Sequence, residues 1–427
     1  MSDSDLWPAP TANGPVVGAV RVPGSKSVTN RAFVLAALAD SPSRIQQPLL
    51  ARDTKLMASA LASLGARFEE TADGYLVTPG RLTGGTEVDC GLAGTVMRFL
   101  PPVAALADGR VRFDGDPRAR VRPMGAILEA LRQLGVALED DDRGTLPFTV
   151  VGTGSVCGGE VRIDASASSQ FVSALLLAGA RYDEGVVVKH EGGPLPSLPH
   201  IDMSVQMLRE RGVDVDVDFQ SAYEATWTVK PGPIAGLDLV VEPDLSNALP
   251  FIAAAMVTGG SVTIADWPAT TTQPGGQLPD LLTQLGGTCV FSADGLTVTG
   301  PEVLNGIDVD LSEVGELTPV LAAICALAET RSRLRGISHL RGHETDRLTA
   351  LATELNRAGG NVTELADGLE IVPAPLFGCV FETYDDHRMA TAAAVLGLRV
   401  PGIEVVDVAT TSKTLPDFVS MWNELVG

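Results

Sequence analysis

The chain has 427 residues, more than the roughly 250–300 at which a single core stops growing, so two domains are expected. Its residues are 45% hydrophobic and only 5% aromatic, which suits large, closely packed cores and excludes a long disordered segment. A net charge of −22 repels nucleic acid and anionic membrane, Met1–Pro15 lacks a basic start or apolar stretch, and no run approaches the ~18 apolar residues of a membrane helix; a cytoplasmic protein with neither partner is expected.

The first element is the stretch VPGSKSVTNRAFVLAALAD, where Ser27, Thr29 and Asn30 mark a helix start ahead of an apolar run. Lys26 and Arg31 bracket that start. A helix N-terminus carries roughly half a positive charge, so each cation there costs on the order of 0.3–1 kcal/mol. Five later segments repeat the pattern of a polar cluster opening an Ala-rich apolar run: AGTVMRFLPPVAALA, SSQFVSALLLAGA, LSNALPFIAAAMV, GELTPVLAAICALA and DDHRMATAAAVLG. Runs apolar nearly all round predict buried helices.

Between them lies a second recurring unit, an amphipathic segment, a glycine and a strand-like run: LASLGARFE, LRQLGVALE, LRERGVDVDV, LTQLGGTCVF, LNRAGGNVTEL and the closing WNELVG. The glycines Gly65, Gly135, Gly212, Gly286, Gly359 and Gly427 are spaced 70, 77, 74, 73 and 68 residues apart. Glycine after a last helical turn predicts a left-handed cap, so each unit reads as helix, cap, strand. Six repeats, each with one buried and one amphipathic helix, predict an α/β fold, and hairpin-like strand spacing favours mixed sheets. The Pro/Gly-rich joint KPGPIAG, Lys230–Gly236, divides the repeats three and three, each set around its own buried helices; a closed solenoid is the competing layout.

The polar starts of these helices carry the candidate chemistry: Lys26, Ser27 and Arg31; Gly94, Thr95 and Arg98; Arg122; Ser168, Ser169 and Gln170; His343, Glu344 and Arg347; His387 and Arg388; Lys413. Seven of the 31 Lys and Arg residues thus sit at the unfavourable end of a helix, and repeated violation of a local rule marks function. If these helix starts face a common cleft, free N–H groups, dipoles and cations converge on an anion with several acidic groups. The alternative for any one cation is a weak surface pair, as Arg347 with Glu344 at i,i+3. Glu316, Glu344 and Asp386 are the candidate proton-transfer acids. GSKS lacks P-loop spacing, HETDR holds half of a zinc-protease motif, VGTGSVCGG lacks the third glycine of a dinucleotide loop, and no G-x-S-x-G is present. Cys90, Cys157, Cys289, Cys325 and Cys379 form no metal or disulfide pattern and read as inert thiols.

The segments GSKSVTNRA, LAGTVMR, RPM, SSQF, HETDRL, DDHRMA and SKTLPDF, in this order along nearly the whole chain, resemble the enolpyruvyl transferases. The resemblance implies two domains of three βαβαββ-like repeats, 19–236 and 1–18 plus 237–427, joined by two crossover segments. It implies transfer of the carboxyvinyl group of phosphoenolpyruvate to the 5-hydroxyl of shikimate 3-phosphate, releasing phosphate, by a monomer with no metal or cofactor. Carried over, Lys26 touches both substrates. Ser27, Arg31, Ser168, Ser169, Ser197, His339 and His343 hold shikimate 3-phosphate, and Gln170 lies between the ligands. Gly94, Thr95, Arg122, Arg347, His387, Arg388 and Lys413 bind phosphoenolpyruvate. Glu316 receives the 5-hydroxyl proton and Glu344 handles the methylene proton.

His343 stands where many relatives have Lys, His339 where some have Asn, His200 where some have Tyr, and Phe99 where a Pro occurs. The sister activity toward UDP-N-acetylglucosamine usually employs a loop cysteine, and the loop FDGDPRARVRP has none. A non-catalytic repeat protein that binds phosphorylated metabolites is the reading from another class.

Overall fold

The structure, a computed structural model, describes residues 6–427. Among the described residues twelve α-helices follow one another as α1 Lys26–Ala37, α2 Arg52–Ser63, α3 Gly94–Ala104, α4 Gly125–Gln133, α5 Gln170–Gly179, α6 Leu198–Arg209, α7 Leu245–Thr258, α8 Leu278–Gln284, α9 Thr318–Ala326, α10 Arg347–Arg357, α11 His387–Gly397 and α12 Phe418–Val426. The odd-numbered helices are the six Ala-rich runs. In α7 and α9 every residue is buried, because neither has a polar face to give to water. The even-numbered helices bury one stripe; α10, for example, hides Leu348, Leu351 and Leu355 and exposes Thr349, Thr353 and Asn356.

All six repeat glycines take positive φ, from +80° to +123°, so the sequence expectation of left-handed caps holds at each amphipathic helix. The demand differs between sites. A Cβ on Gly212 would meet nothing within 4 Å, whereas one on Gly65 would lie 2.3 Å from the Arg81 carbonyl oxygen. Gly212→Ala should therefore cost only the left-handed strain of about 1 kcal/mol, and Gly65→Ala distinctly more because main chain must move. Urea unfolding checks this; equal losses would contradict it.

Among the described residues five sheets have four strands and share one pattern: a parallel pair, then two antiparallel pairings. Thr86–Asp89 runs parallel to Asp108–Asp114 across α3, and Gly159–Ile163 parallel to Val186–Glu191 across α5. The second strand of each pair then takes an antiparallel hairpin that follows the amphipathic helix, such as Ala137–Glu139 with Phe148–Thr153. Mixed sheets result, as the hairpin spacing predicts. The sixth sheet is shorter: the N-terminal Leu6–Pro8 pairs antiparallel with Glu404–Val406, where other repeats have their own hairpin.

Two repeats exchange their leading strands. Val17–Val20 precedes α1 but pairs parallel with Ser261–Ala265 after α7, while Leu239–Val240 precedes α7 but pairs with Ser43–Gln46 after α1. The chain consequently divides into one unit that runs up to Pro23 and resumes at Glu242–Gly427, and a second unit, Gly24–Val241. The switches fall five residues beyond the expected 18/19 and 236/237 boundaries because each crossover strand is held by the sheet it enters; residues 1–5 of the expected 1–18 segment lie outside the described residues. Each unit has its own hydrophobic core, built on α1, α3 and α5 in contact with one another in Gly24–Val241, and on α7, α9 and α11 in the other. Three mutually packed helices in each unit rule out a closed solenoid. No helix among the described residues is long and apolar enough to cross a membrane.

Candidate active site

In the Gly24–Val241 unit, the N-cap of α1 is Ser25, whose hydroxyl accepts from Val28 N at 3.4 Å, so Lys26 opens the helix itself. Thr29 and Asn30 of the opening stretch face inward. Thr29 Oγ1 accepts from Leu49 N at 3.0 Å, and Asn30 Nδ2 donates to Thr95 Oγ1 at 2.7 Å, which fastens the start of α1 to the start of α3. Lys26 Nζ lies 3.6 Å from the buried Asp53 carboxylate, itself in the first turn of α2 where an acid is favoured.

Arg31 has a different environment from the one its sequence position implies. Its guanidinium is fully buried and donates to Ser204 Oγ (2.7 Å), Ser27 O (3.1 Å), Ser173 Oγ (3.2 Å) and His200 O (2.8 Å), with the Phe99 ring 5.0 Å away. Four protein acceptors thus occupy a group that has five donors. Burial without a carboxylate pushes its pKa down to about 9.

Around the starts of α3 and α5, Gly94, Arg98, Arg122, Ser168 and Gln170 converge. A Cβ on Gly94 would lie 3.1 and 3.2 Å from the Arg122 nitrogens and 3.2 Å from Gln170 Oε1. Arg98 Nη1 donates to Ser168 Oγ (3.1 Å) and Gln170 Oε1 (3.0 Å), and Arg122 Nη1 to Leu92 O (3.2 Å). Ser169 is buried beside them with its carbonyl accepting from Ser173 N, and Ser197 holds a left-handed φ of +53° just before α6. Gly94 and Thr95 at α3, Ser168, Ser169 and Gln170 at α5 and Ser197 at α6 thus lie at helix starts, whereas Arg122 does not: it follows the 3-10 turn Ala119–Val121, which carries its side chain to the start of α3.

In the other unit, Arg347 opens α10 and forms a bidentate pair with Asp386, the N-cap of α11, at 2.7 and 3.0 Å. That replaces the i,i+3 pairing with Glu344. Arg347 Nη1 also lies 3.1 Å from His343 Nδ1, and since a guanidinium only donates, His343 accepts there. Glu344 instead meets Lys413 Nζ at 2.6 Å through Oε1 and His387 Nδ1 at 3.1 Å through Oε2. Burial opposes ionisation of Glu344, yet Lys413, His387 and Arg347 outweigh it and hold the carboxyl well below the usual range. Burial likewise lowers the His387 pKa against the pull of Glu344, so the neutral ring donates from Nδ1 and leaves the buried, unpartnered Nε2 as acceptor. Glu344, Asp386 and His387 offer three ligand atoms within 4.8 Å of one another, but Lys413, His387 and Arg347 already engage their oxygens. The cluster is a closed network of ion pairs and hydrogen bonds.

Glu316 sits just before α9 and accepts from Ser246 Oγ at 3.4 Å. His339 packs on Gly315, where a Cβ would come 2.6 Å from Nε2, and its ring meets that of His343 edge-on at 5.7 Å. Burial pushes His339 down to about 4, so it stays neutral near pH 7. The unfolded ring, near 6.5, takes a proton first, so stability falls as pH drops from 6.5 toward 4, by up to about 3 kcal/mol. His339→Asn, which does not titrate, should flatten that part of a urea-unfolding pH series; an unchanged slope would place the titration elsewhere.

Chain-wide comparison decides the family. The model of EPSP synthase (3-phosphoshikimate 1-carboxyvinyltransferase) matches residues 10–422. The chain belongs to the EPSP synthase family. A 3-phosphoshikimate 1-carboxyvinyltransferase of Kocuria rhizophila is 57% identical over 438 aligned positions, covering 100% of this chain and 98% of that protein. An EPSP synthase structure from Acinetobacter baumannii superposes with a TM-score of 0.80 at 25% identity, covering 98% of both chains. The enolpyruvyl transferase NikO from Streptomyces tendae shares the fold, with a TM-score of 0.77 at 19% identity over 97% of this chain and 96% of that one.

In this member of the EPSP synthase family Asp53, Asp244 and Asn247, polar residues at helix starts, are not singled out by sequence, and Asn30 is read there only as a mark of the helix start. Asn30 and Asp53 tie down α1 and Lys26. Asp244 caps α7 by accepting from Asn247 N at 3.0 Å, and Asn247 Nδ2 donates to Thr414 O at 3.0 Å, beside Lys413. Asn247 lies in the LSNALPF cluster and Asp244 immediately precedes it, so their position at a buried helix start is the available signal. All five cysteines are free, and burial raises the Cys90 and Cys325 thiols, the latter to about 11.

Proposed function

We propose that this chain transfers the carboxyvinyl group of phosphoenolpyruvate to the 5-hydroxyl of shikimate 3-phosphate, releasing phosphate. The observation that carries the reading is the family match across residues 10–422, with the 57% identical 3-phosphoshikimate 1-carboxyvinyltransferase beside it. Two polyanionic substrates require cations, and both units bring cations and N–H groups to the starts of buried helices. Shikimate 3-phosphate is assigned to Lys26, Ser27, Arg31, Ser168, Ser169, Gln170, Ser197, Glu316, His339 and His343. Phosphoenolpyruvate is assigned to Lys26, Gly94, Thr95, Arg122, Gln170, Arg347, His387, Arg388 and Lys413. Enclosure by Ser173, Ser204 and the His200 carbonyl gives Arg31 the further task of tying α1 to α5 and α6.

The chemistry is an addition followed by an elimination. The 5-hydroxyl oxygen bonds to C2 of phosphoenolpyruvate, its proton passing to Glu316, while C3 gains a proton and becomes a methyl group. Glu344 is ionised at rest, so the proton it gives to C3 comes from the Lys413 ammonium at 2.6 Å. In the second half the C2–O bond to phosphate breaks, Glu344 takes a proton back from C3 and returns it to Lys413, and the Glu316 proton leaves with phosphate. The protein acts as a monomer in the cytoplasm in this reading, with no metal or cofactor.

Phosphate release from phosphoenolpyruvate, assayed with shikimate 3-phosphate and in parallel with UDP-N-acetylglucosamine, tests the assignment; release only with the second acceptor would overturn it. Glyphosate, which competes with phosphoenolpyruvate in this family, should inhibit because Gly94 leaves the space that Ala would fill. Gly94→Ala should crowd Arg122 and Gln170 and raise the inhibitor concentration for half-inhibition at least tenfold. Wild-type turnover unaffected by inhibitor far above the phosphoenolpyruvate level would contradict this.

A further inference from the structure

Arg98 is buried, with no carboxylate within ion-pair distance among the described residues. Taking a guanidinium from water without an ionic partner is expensive, and hydrogen bonds to neutral groups offset it only in part. Its contacts indicate what the arrangement provides. One nitrogen, Nη1, donates to Ser168 Oγ and to Gln170 Oε1, and Cζ lies over the Phe171 ring, 5.0 Å from its centroid. Ser168 and Gln170 are only partly buried, at the start of α5.

A hydroxyl and a carboxamide are ambivalent: each can offer a ligand either a hydrogen or a lone pair. Arg98 removes the choice, because a guanidinium has donors and no acceptor. The Gln170 atom facing it must be the oxygen, which leaves the Gln170 amide N–H groups for a ligand. Ser168 Oγ accepts from Arg98 and also from Gln170 N at 3.3 Å, so what remains to it is its own hydrogen. We propose that Arg98 is a positioning residue that fixes Ser168 and Gln170 as hydrogen-bond donors toward an anionic ligand. This inference rests on the proposed function, in which shikimate 3-phosphate is that ligand. Its chemistry explains the orphaned cation: carboxylate and phosphate oxygens only accept, so a site for them gains when its adaptable groups are locked as donors before binding.

The test is a mutant cycle read by calorimetric binding of shikimate 3-phosphate. Arg98→Met should weaken binding roughly tenfold to a hundredfold in the otherwise intact protein. In a Ser168→Ala, Gln170→Ala background the same change should weaken it less than about threefold, because the groups it orients are gone. Equal losses in both backgrounds would overturn the inference and leave Arg98 a source of field or packing. If Met at this position prevents folding, the cycle is run with Arg98→Lys, which keeps an N–H donor but loses the planar fork; the loss should be smaller and again confined to the intact background. Wild-type protein that fails to bind shikimate 3-phosphate would overturn the proposed function and this inference with it, whereas binding with additive losses overturns the inference alone.

Discussion

Lys26→Met should abolish turnover, with a fall of at least about a thousandfold in kcat, while the protein remains folded. Each removed donor to a developing anion costs about 10² to 10³ in rate, and Lys26 is assigned to both substrates. The structural side of the substitution is more lenient than burial alone suggests. Met keeps the length and apolar stem of Lys, and Lys26 is the first residue of α1, where a cation opposes the helix dipole. The cost falls on Asp53, buried and 3.6 Å from Nζ, which loses its nearby cation. Breaking such a pair costs about 3–5 kcal/mol where nothing else compensates, but Asp53 lies in the first turn of α2, whose N-terminal N–H groups favour an anion. A thermal midpoint lower by several degrees, with the far-UV spectrum intact, is the expected signature. Retention of more than a tenth of wild-type kcat would remove Lys26 from the reaction.

The repeat architecture was legible because its signals are local. A left-handed cap forces glycine on one position irrespective of the rest of the fold, and Gly65 through Gly427 recorded that demand six times. Ala-rich runs with no polar face likewise had to be buried. What order in the chain could not express was partner choice across distance. Val17–Val20 is followed by α1 yet pairs with Ser261–Ala265, and no feature of either strand encodes the exchange. The same holds for charge. Arg347 reads naturally as the i,i+3 partner of Glu344, but Asp386, 39 residues away, presents two oxygens to its fork, and Glu344 is freed for Lys413 and His387. Arg31 was legible as a misplaced cation but not as one enclosed by α5 and α6, because Ser173 and Ser204 carry no sign of facing a guanidinium.

Glu344→Gln should leave shikimate 3-phosphate binding within a few-fold of wild type and lower kcat by about 10³, the scale of a lost general acid–base group. The amide replaces two accepting oxygens with one oxygen and one N–H donor, and the neighbours decide its orientation. Lys413 can only donate, so the Gln oxygen must face it at the position of Oε1. The amide nitrogen then faces His387 Nδ1, which donates in the wild type. That conflict resolves without unfolding, because His387 Nε2 is unpartnered and the ring proton can move there, leaving Nδ1 to accept. A tautomer shift in the His387 ¹⁵N spectrum is therefore expected alongside lost turnover. The acid side of stability changes as well. Glu344 is held below its ordinary value, against burial, by Lys413 and His387, so the stability it contributes is present above the unfolded carboxyl pKa of about 4.3 and is lost as pH falls below that. Glu344→Gln should reduce the stability loss below pH 4.3. Binding preserved with turnover gone separates an enzyme from a protein that only holds phosphorylated metabolites; kcat within tenfold of wild type would take the methylene proton away from Glu344 and return it to another group of this cluster.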